Sequence, residues 1–438
     1  MENRRARLIP LLPIAAALAT LGGLAAAHPG LRFVDFLSFA GRARRLTEGQ
    51  DWVNGLYPVG YPLALLALKG LLGDVLVAGK VLSVAAGGLA AWAVGRLTRP
   101  GLGVAVLAVP AVLTWGSTEG TDLLAAALAL AALATTERPH LSGALVGAAC
   151  LTRYTGVAAL PPVLLLTRGR ALPAFALATA PHWLTALWLH LPMMPDQSGN
   201  MAIGAGPGGP SSWVERLPAG AARAARDAFG APWAGLGLLG LGVGAFRRQR
   251  AAMGLLGLAV LHVLGVGLAF SNERLVLPAT LAAVTGLAWL LPEGRRPWLA
   301  LLALLALPQL PRAATVSEDE RALAEIAAVE APGPVLSTNP MYHQRVHGWL
   351  DSGVFARSLG VDPRRLTPDT LREVASQRGF QSVAIEAGRV SATWPGLRPL
   401  SRGEAPPGFT LLGEAGPWRV FLLDHDQMDH GSSPRPGL

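Results

Sequence analysis

Long apolar runs constrain this chain more than any other feature of its sequence. From Leu8 to Leu310 they recur at lengths that can cross about 30 Å of hydrocarbon as helices. The chain is 51% hydrophobic and only 15% charged, whereas soluble domains carry roughly 25% charged residues. The pattern predicts an α-helical polytopic membrane protein with about eleven transmembrane helices.

The composition changes to that of a soluble domain beyond Arg312. Two segments there have the pattern of helices, 317–330 and 371–379, and three have the pattern of strands, 334–338, 382–386 and 418–423. The sequence therefore predicts a transmembrane domain over 1–311 and a small α/β domain over 312–438.

Arginine-rich turns separate the later apolar runs. They are RLTR (96–99), RGR (168–170), RRQR (247–250) and GRR (294–296). Despite the net charge of +9, short basic clusters between apolar runs are typical of cytoplasmic loop ends, and no nucleic-acid partner is expected. The positive-inside rule then places the N-terminus in the cytoplasm and the C-terminal domain outside it. This layout requires residues 57–73 to lie in the interface or re-enter instead of crossing.

Two N-terminal segments have competing interpretations. The run from Leu8 to Ala27 predicts a retained first helix, because it is longer than the apolar core of a usual signal peptide, although residues 25–27 fit a cleavage site. The following loop predicts an interfacial amphipathic helix, with Arg42 and Arg45 turned away from its apolar face. That face consists of Phe36, Phe39, Ala43 and Leu46.

Four acids gather on the outer face in this layout: Asp35, Glu119, Asp122 and Glu273. An acid in a membrane segment costs about 2.5–3.5 kcal/mol at mid-depth, so such residues usually have a function. Asp35 can accept a proton or hold a divalent cation, or it can simply start a helix. Glu119 and Asp122 are three residues apart, which predicts one shared helical face. The alternative is a pair of helix-starting acids with Thr118 or Thr121 as cap.

Basic residues on the outer side break the usual charge distribution. Arg153 and Tyr154 fall between two apolar runs in LTRYTG, and Arg274 follows Glu273 at a helix start. Such arginines indicate an anionic partner such as a lipid phosphate, although an Arg–carboxylate pair joining helix ends is an equal alternative. Trp115 is interpreted as an interface anchor and His262 as a packed, hydrogen-bonded histidine.

Several segments, in order, resemble the GT-C superfamily of polytopic glycosyltransferases, near family 39 and the protein-mannosyltransferase-like group. They are the outer loop with Asp35, YPVGYPLALL (57–66), GDVLVAGKVLS (73–83), PAVLTWGSTEGTD (110–122), the run from Gly143 to Pro162 and ERLVLP (273–278). The resemblance covers roughly residues 1–310, and the C-terminal domain matches only in placement and size.

The resemblance implies a bacterial inner-membrane enzyme of the cell envelope, a hexosyl- or pentosyltransferase. Its donor would be a sugar on a polyprenyl phosphate, and its acceptor an extracytoplasmic lipid, glycan or protein. Asp35 matches the loop aspartate used at the reaction centre, and Glu119 and Asp122 occupy the second acidic region. Where the family often has an Asp-Glu pair, Phe36 follows Asp35. A divalent cation (Mg²⁺ or Mn²⁺) therefore stays open, and no other cofactor is expected.

The residues fit a single displacement. A sugar on a lipid phosphate has a good leaving group, so the enzyme needs a base for the acceptor and positive charge for the phosphate. Asp35 is the predicted base, and Arg274, Arg153 and Lys80 are predicted to bind the phosphate. The donor and acceptor pocket is assigned to Tyr57, Tyr61, Tyr154 and Glu273. Two alternatives remain: a transporter or flippase for a lipid-linked precursor, and a non-catalytic, lipid-binding assembly subunit.

Overall fold

The computed structural model forms two compact units. It describes residues 11–28, 30–33, 35–49, 58–188, 213–267, 274–339, 341–342, 345, 366–388, 390 and 394–424. The first unit contains Met1–Pro29 and Arg42–Thr315, and the second contains Gly30–Gly41 and Val316–Leu438. The segment Gly30–Gly41, which includes Asp35, thus belongs to the second unit, whereas the division expected from the sequence assigned it to the first.

The first unit is helical throughout its described residues. Its α-helices are α1 (Leu12–Ala27), α3 (Gly60–Leu72), α4 (Val75–Leu97), α5 (Pro110–Gly116), α6 (Asp122–Ala134), α7 (Pro139–Thr152), α8 (Leu160–Thr167), α9 (Leu172–Trp188), α10 (Trp213–Phe229), α11 (Pro232–Phe246), α12 (Arg250–Gly267), α13 (Leu277–Gly286) and α14 (Leu310–Ala314). Its 3₁₀-helices are Pro100–Ala108, Tyr154–Ala159, Leu287–Trp289 and Glu293–Ala306. Helix α2 (Phe36–Thr47) begins in the second unit and ends in the first.

The polytopic helical architecture is confirmed, but the predicted count of about eleven spans is not. Among the described residues, α4 and α12 are long and apolar enough to cross a membrane. Counting each of two bent helix pairs as one span raises the number to four. Proline explains part of the shortfall: the apolar run at 102–116 is split, because α5 begins at Pro110, which lacks the N–H that a continuous helix needs.

Helix α3 begins and ends at one end of the first unit. Its first residue, Gly60, packs so closely on the end of α7 that an added Cβ would lie 2.6 Å from the Leu151 carbonyl oxygen. Its end is closed by Gly73, whose φ of 78° is readily adopted only by glycine. Two residues later α4 starts, and the Lys80 ammonium donates to the carbonyl of His28, just past the end of α1. That residues 57–73 do not cross the membrane stays a prediction.

The apolar face predicted for α2 is buried, but one of its arginines is not turned away. Arg42 is only 1% exposed, and its Nη1 donates to the Pro58 carbonyl at 2.9 Å. The prediction that Arg42 turns away from the packed side of α2 is therefore wrong, whereas Arg45 is half-buried. Helical spacing fixes which residues share a face, but not how many sides of the helix its neighbours cover.

Helix α10 (Trp213–Phe229) is amphipathic and was not predicted from the sequence. Unlike the apolar helices around it, α10 has a polar face with exposed side chains such as Arg223 and Arg226. From Leu217 onward, α10 meets α11 at a bend of 104°. The search for long apolar runs did not find this helix, because an amphipathic helix needs only one apolar face.

The second unit contains a four-stranded mixed sheet of order β1-β2-β4-β3. The strands are β1 (Val335–Ser337), β2 (Ser382–Glu386), β3 (Phe409–Ala415) and β4 (Trp418–Leu423), and the helices are α15 (Glu318–Ala327), α16 (Pro368–Gln377) and α17 (Arg398–Ser401), with a 3₁₀-helix at Pro395–Leu397. β1 is parallel to β2, with Leu336 beside Val383, and β4 is antiparallel to both β2 and β3. The small C-terminal α/β fold is confirmed.

Strand β3 was not predicted. An irregularity in its pairing with β4 falls between Leu411 and Gly413, and only its two ends, Phe409 and Ala415, are buried. A strand with so little alternation of apolar and polar residues lacks the period of two that identifies strands in a sequence.

Candidate functional site

The turn between α5 and α6 buries polar side chains inside the first unit. They are at most 4% exposed: Ser117, Thr118, Glu119, Thr121 and Asp122. Because α6 begins at Asp122, Glu119 lies in the turn before the helix, and the prediction that both acids share a helical face is wrong. The two acids are nevertheless brought into one buried turn. Buried carboxylates are costly without partners, so their partners decide what this turn can do.

Arg153 pairs with Asp122. The chain at Arg153 is extended (φ −153°, ψ 129°) where α7 ends, so the side chain leaves the helix. Its Nη1 lies 2.7 Å from Asp122 Oδ1 and donates to Thr121 Oγ1 at 3.0 Å. The Asp122 side chain is 2% exposed and that of Arg153 24%. Thr121 occupies the N-cap position but makes no side-chain cap bond; its hydroxyl accepts from Arg153 instead.

Arg274 lies against the same part of the unit. Its guanidinium carbon is 5.6 Å from the centroid of the Trp115 ring, a cation–π contact. The next residue is held by His262, whose Nε2 is 2.7 Å from the Leu275 carbonyl oxygen. Trp115 thus contacts one of the arginines predicted for the site, beyond the interface anchoring expected of it, and His262 is packed and hydrogen-bonded as predicted.

These groups line one small pocket. Asp122, Arg153 and Arg274 meet there with Thr155 and His262, and apolar residues of α6, α12 and α13 complete the wall. Its volume of about 10 Å³ is room for about one water. Three of the predicted site residues therefore converge. Thr155 and His262 were not assigned to the site from the sequence, although a histidine within an apolar helix was a usable signal.

Tyr61 joins the buried turn from α3. It is fully buried, its hydroxyl lies against the backbone of Gly120, and it is within electrostatic range of Glu119 and Asp122. The sequence assigned Tyr61 to the pocket, and the structure places it beside both acids. Two residues assigned with it, Tyr57 and Glu273, lie outside the described residues.

Two other predicted residues lie elsewhere. Lys80 is 9% exposed and bonded to the His28 carbonyl. His28 in turn contacts the Ala313 carbonyl through Nε2 at 2.8 Å. Asp35, partly buried, belongs to the second unit and directly precedes α2.

Tyr154 faces an aromatic group rather than the pocket. Its hydroxyl is 3.2 Å from His182 Nε2, and the His182 ring meets Trp183 edge-on at 4.9 Å. Arg42 is close enough to interact electrostatically with both Tyr154 and His182. The consecutive residues Arg153 and Tyr154 therefore contact different partners, Asp122 and His182. Successive side chains of an extended chain point in opposite directions.

The basic turns lie at the opposite end of the helices from the acidic turn. Just past the end of α6, Glu137 pairs with Arg96 at 2.6 Å, and this hydrogen bond lowers the pKa of Glu137. Arg99 lies 3.7 Å from Glu293, and Arg250 donates to the Leu166 carbonyl near the end of α8. The first unit therefore has one end with buried acids and another with clustered arginines.

In the part of the chain that the structure describes, no three His, Cys, Asp or Glu side chains group as a metal site. No protein-family model matches this sequence, and no curated protein sequence does.

Solved structures do match. The structure of ArnT from Cupriavidus metallidurans in the apo state is 14% identical, with a TM-score of 0.59 over 94% of this chain and 97% of that one. The same protein bound to undecaprenyl phosphate gives a TM-score of 0.56 at the same identity and coverage. An Archaeoglobus fulgidus oligosaccharyltransferase tethered with an acceptor peptide is 12% identical, with a TM-score of 0.47 over 95% of this chain and 74% of that one.

Proposed function

We propose that this chain, a membrane protein with the GT-C fold that ArnT shares, transfers a sugar from a polyprenyl-phosphate donor to an envelope acceptor. The observation that carries the proposal is the pocket where Arg153 and Arg274 meet Asp122. Two guanidinium groups beside buried carboxylates, in an apolar helical unit, suit an anionic lipid headgroup. The ligand of the ArnT structure, undecaprenyl phosphate, has that chemistry.

The arginines supply what the departing phosphate needs. In single displacement the bond between the sugar and the phosphate oxygen breaks as the acceptor oxygen or nitrogen bonds to the anomeric carbon. Negative charge then accumulates on the phosphate, where preorganised guanidinium donors stabilise it. Arg274, fixed beside Trp115, is the principal phosphate ligand in this proposal, and Arg153 is the second.

Asp35 is the proposed base. The phosphate leaves without needing a proton at neutral pH, so the acceptor's proton is the only one that the enzyme must remove, and a carboxylate suffices for that. Asp35 lies immediately before α2, in the segment that the chain contributes to the second unit. The proposal requires this carboxylate to take the proton of the acceptor hydroxyl or amine during the transfer.

The decisive experiment incubates the purified protein in nanodiscs with a panel of radiolabelled polyprenyl-phosphate sugars. We expect one donor to release free polyprenyl phosphate, and Asp35→Asn to lower turnover by about 10²–10⁴-fold, the usual contribution of a general base. Glu48→Gln is the matched control, because it removes an exposed carboxylate at the other end of α2.

Two results count against the proposal. Release of no carrier from any donor rejects sugar transfer, and an Asp35→Asn variant with more than half of the wild-type rate rejects Asp35 as the base. Chelation with EDTA, followed by addition of Mg²⁺ or Mn²⁺, tests in the same assay whether a divalent cation takes part.

A further inference from the structure

Asp122 and Arg153 form a close charged contact in the wall of the pocket. One nitrogen of Arg153, Nη1, approaches both Asp122 Oδ1 and Thr121 Oγ1. A guanidinium has five N–H donors, and Nη1 carries two of them. Nη1 thus donates to Thr121 and is in ion-pair contact with Asp122, while Nη2 and Nε carry three further N–H donors.

The same contact limits what Asp122 can do. Its Oδ1 lies 2.7 Å from a guanidinium nitrogen, and both of its oxygens are buried without a regular hydrogen bond among the described residues. Retaining a carboxylate in such a place costs stability, since its oxygens have given up hydrogen bonds to water and gain only the ion pair in return. A carboxylate occupied in this way is better suited to fixing Arg153 than to removing a proton from an acceptor.

The ion pair with Asp122 orders the Arg153 side chain before an anion binds. Arg153 follows α7, and an unrestrained arginine loses rotamer freedom when it binds an anion. Because Asp122 and Thr121 already hold its Nη1, that cost is met before a ligand arrives. The pocket also contains Arg274, which is fixed independently by Trp115. Because the pocket itself has room for only about one water, two arginines held in advance can donate to one phosphate at its mouth.

We propose that Asp122 is a positioning residue: its ion pair with Arg153 holds the guanidinium where, together with Arg274, it binds the phosphate of a lipid-linked ligand. This assignment rests on the proposed function, and it removes Asp122 from the residues that contact the reacting atoms. It also separates Asp122 from Glu119, which the sequence could not distinguish from it.

The test measures binding of undecaprenyl phosphate and of neutral undecaprenol to full-length protein in nanodiscs. We expect Asp122→Asn and Arg153→Gln each to raise the Kd for undecaprenyl phosphate by about tenfold, which corresponds to about 1.4 kcal/mol. Their affinity for undecaprenol stays unchanged. Asp122→Glu, which keeps the charge, restores the Kd to within about threefold of wild type. Donor KM rises with the Kd, while kcat at saturating donor changes little.

The matched control is Glu137→Gln. It removes a carboxylate that lies 2.6 Å from an arginine just beyond the opposite end of the same helix, so it leaves the Kd unchanged. Unaltered binding by Asp122→Asn with lost transfer makes Asp122 catalytic and overturns the inference while sparing the proposed function. Equal losses for both lipids reduce the pair to a structural contact and also overturn it. Wild-type binding without any sugar transfer rejects the proposed function alone.

Discussion

At the scale of single residues, three cations of the first unit differ in what they contact. Lys80 and Arg42 donate to backbone carbonyls, those of His28 and Pro58, whereas Arg153 pairs with a carboxylate. The sequence treated Lys80 and Arg153 alike, and only their partners distinguish them.

His262 gives a residue-scale prediction. Its bond to the Leu275 carbonyl fixes the backbone beside Arg274, so His262→Ala should lower the free energy of unfolding by about 1–3 kcal/mol. It should also raise the Kd for undecaprenyl phosphate. Chemical denaturation and lipid binding of the variant in detergent check both effects. His140→Ala is the control, because His140 is exposed; a variant of His262 with unchanged values in both assays contradicts the expectation.

At the scale of elements, breaks between helices create the site. The turn between α5 and α6 holds both acids, and the end of α7 releases Arg153. The apolar runs predicted where these helices form. They do not predict which way the polar side chains at the helix ends point. Glu119 shows the consequence, because a shift of the helix start by a few residues removed it from the face predicted for it.

Gly60 gives the prediction at this scale. A methyl group there meets the Leu151 carbonyl, so Gly60→Ala should push α3 from α7 and destabilise the protein by about 1–3 kcal/mol. Gly70→Ala, in the same helix with nothing within 4 Å of the added Cβ, should be neutral or stabilise by up to about 1 kcal/mol. Thermal unfolding of the two variants compares them, and equal melting temperatures contradict the close packing of α3 on α7.

At the scale of the whole molecule, charge divides the two ends of the helical unit. Buried acids occupy one end, and pairs such as Arg96 with Glu137 occupy the other. The positive-inside rule then assigns the arginine end to the cytoplasm, and we propose that the second unit lies outside it.

Cysteine labelling tests this orientation. In a Cys150→Ala background, Glu404→Cys and Arg168→Cys introduce thiols at exposed positions of the second unit and of a basic turn. We expect a membrane-impermeant maleimide to label position 404 in intact cells and position 168 only after permeabilisation. The reverse pattern inverts the topology, and labelling of both positions in intact cells rejects the separation by the membrane.

The helical membrane architecture, the C-terminal α/β fold and the separation of acids from basic turns could all be predicted from the sequence. The length and periodicity of apolar runs are local properties, so they can be recognised without knowing how the helices pack. Strand β3 and helix α10 were missed, because their local patterns are weak. Three features became known from the folded structure alone: Arg153 meets Asp122, Arg274 lies on Trp115, and Arg42 is buried. Those contacts join residues far apart in the chain, and the packing of whole helices fixes them.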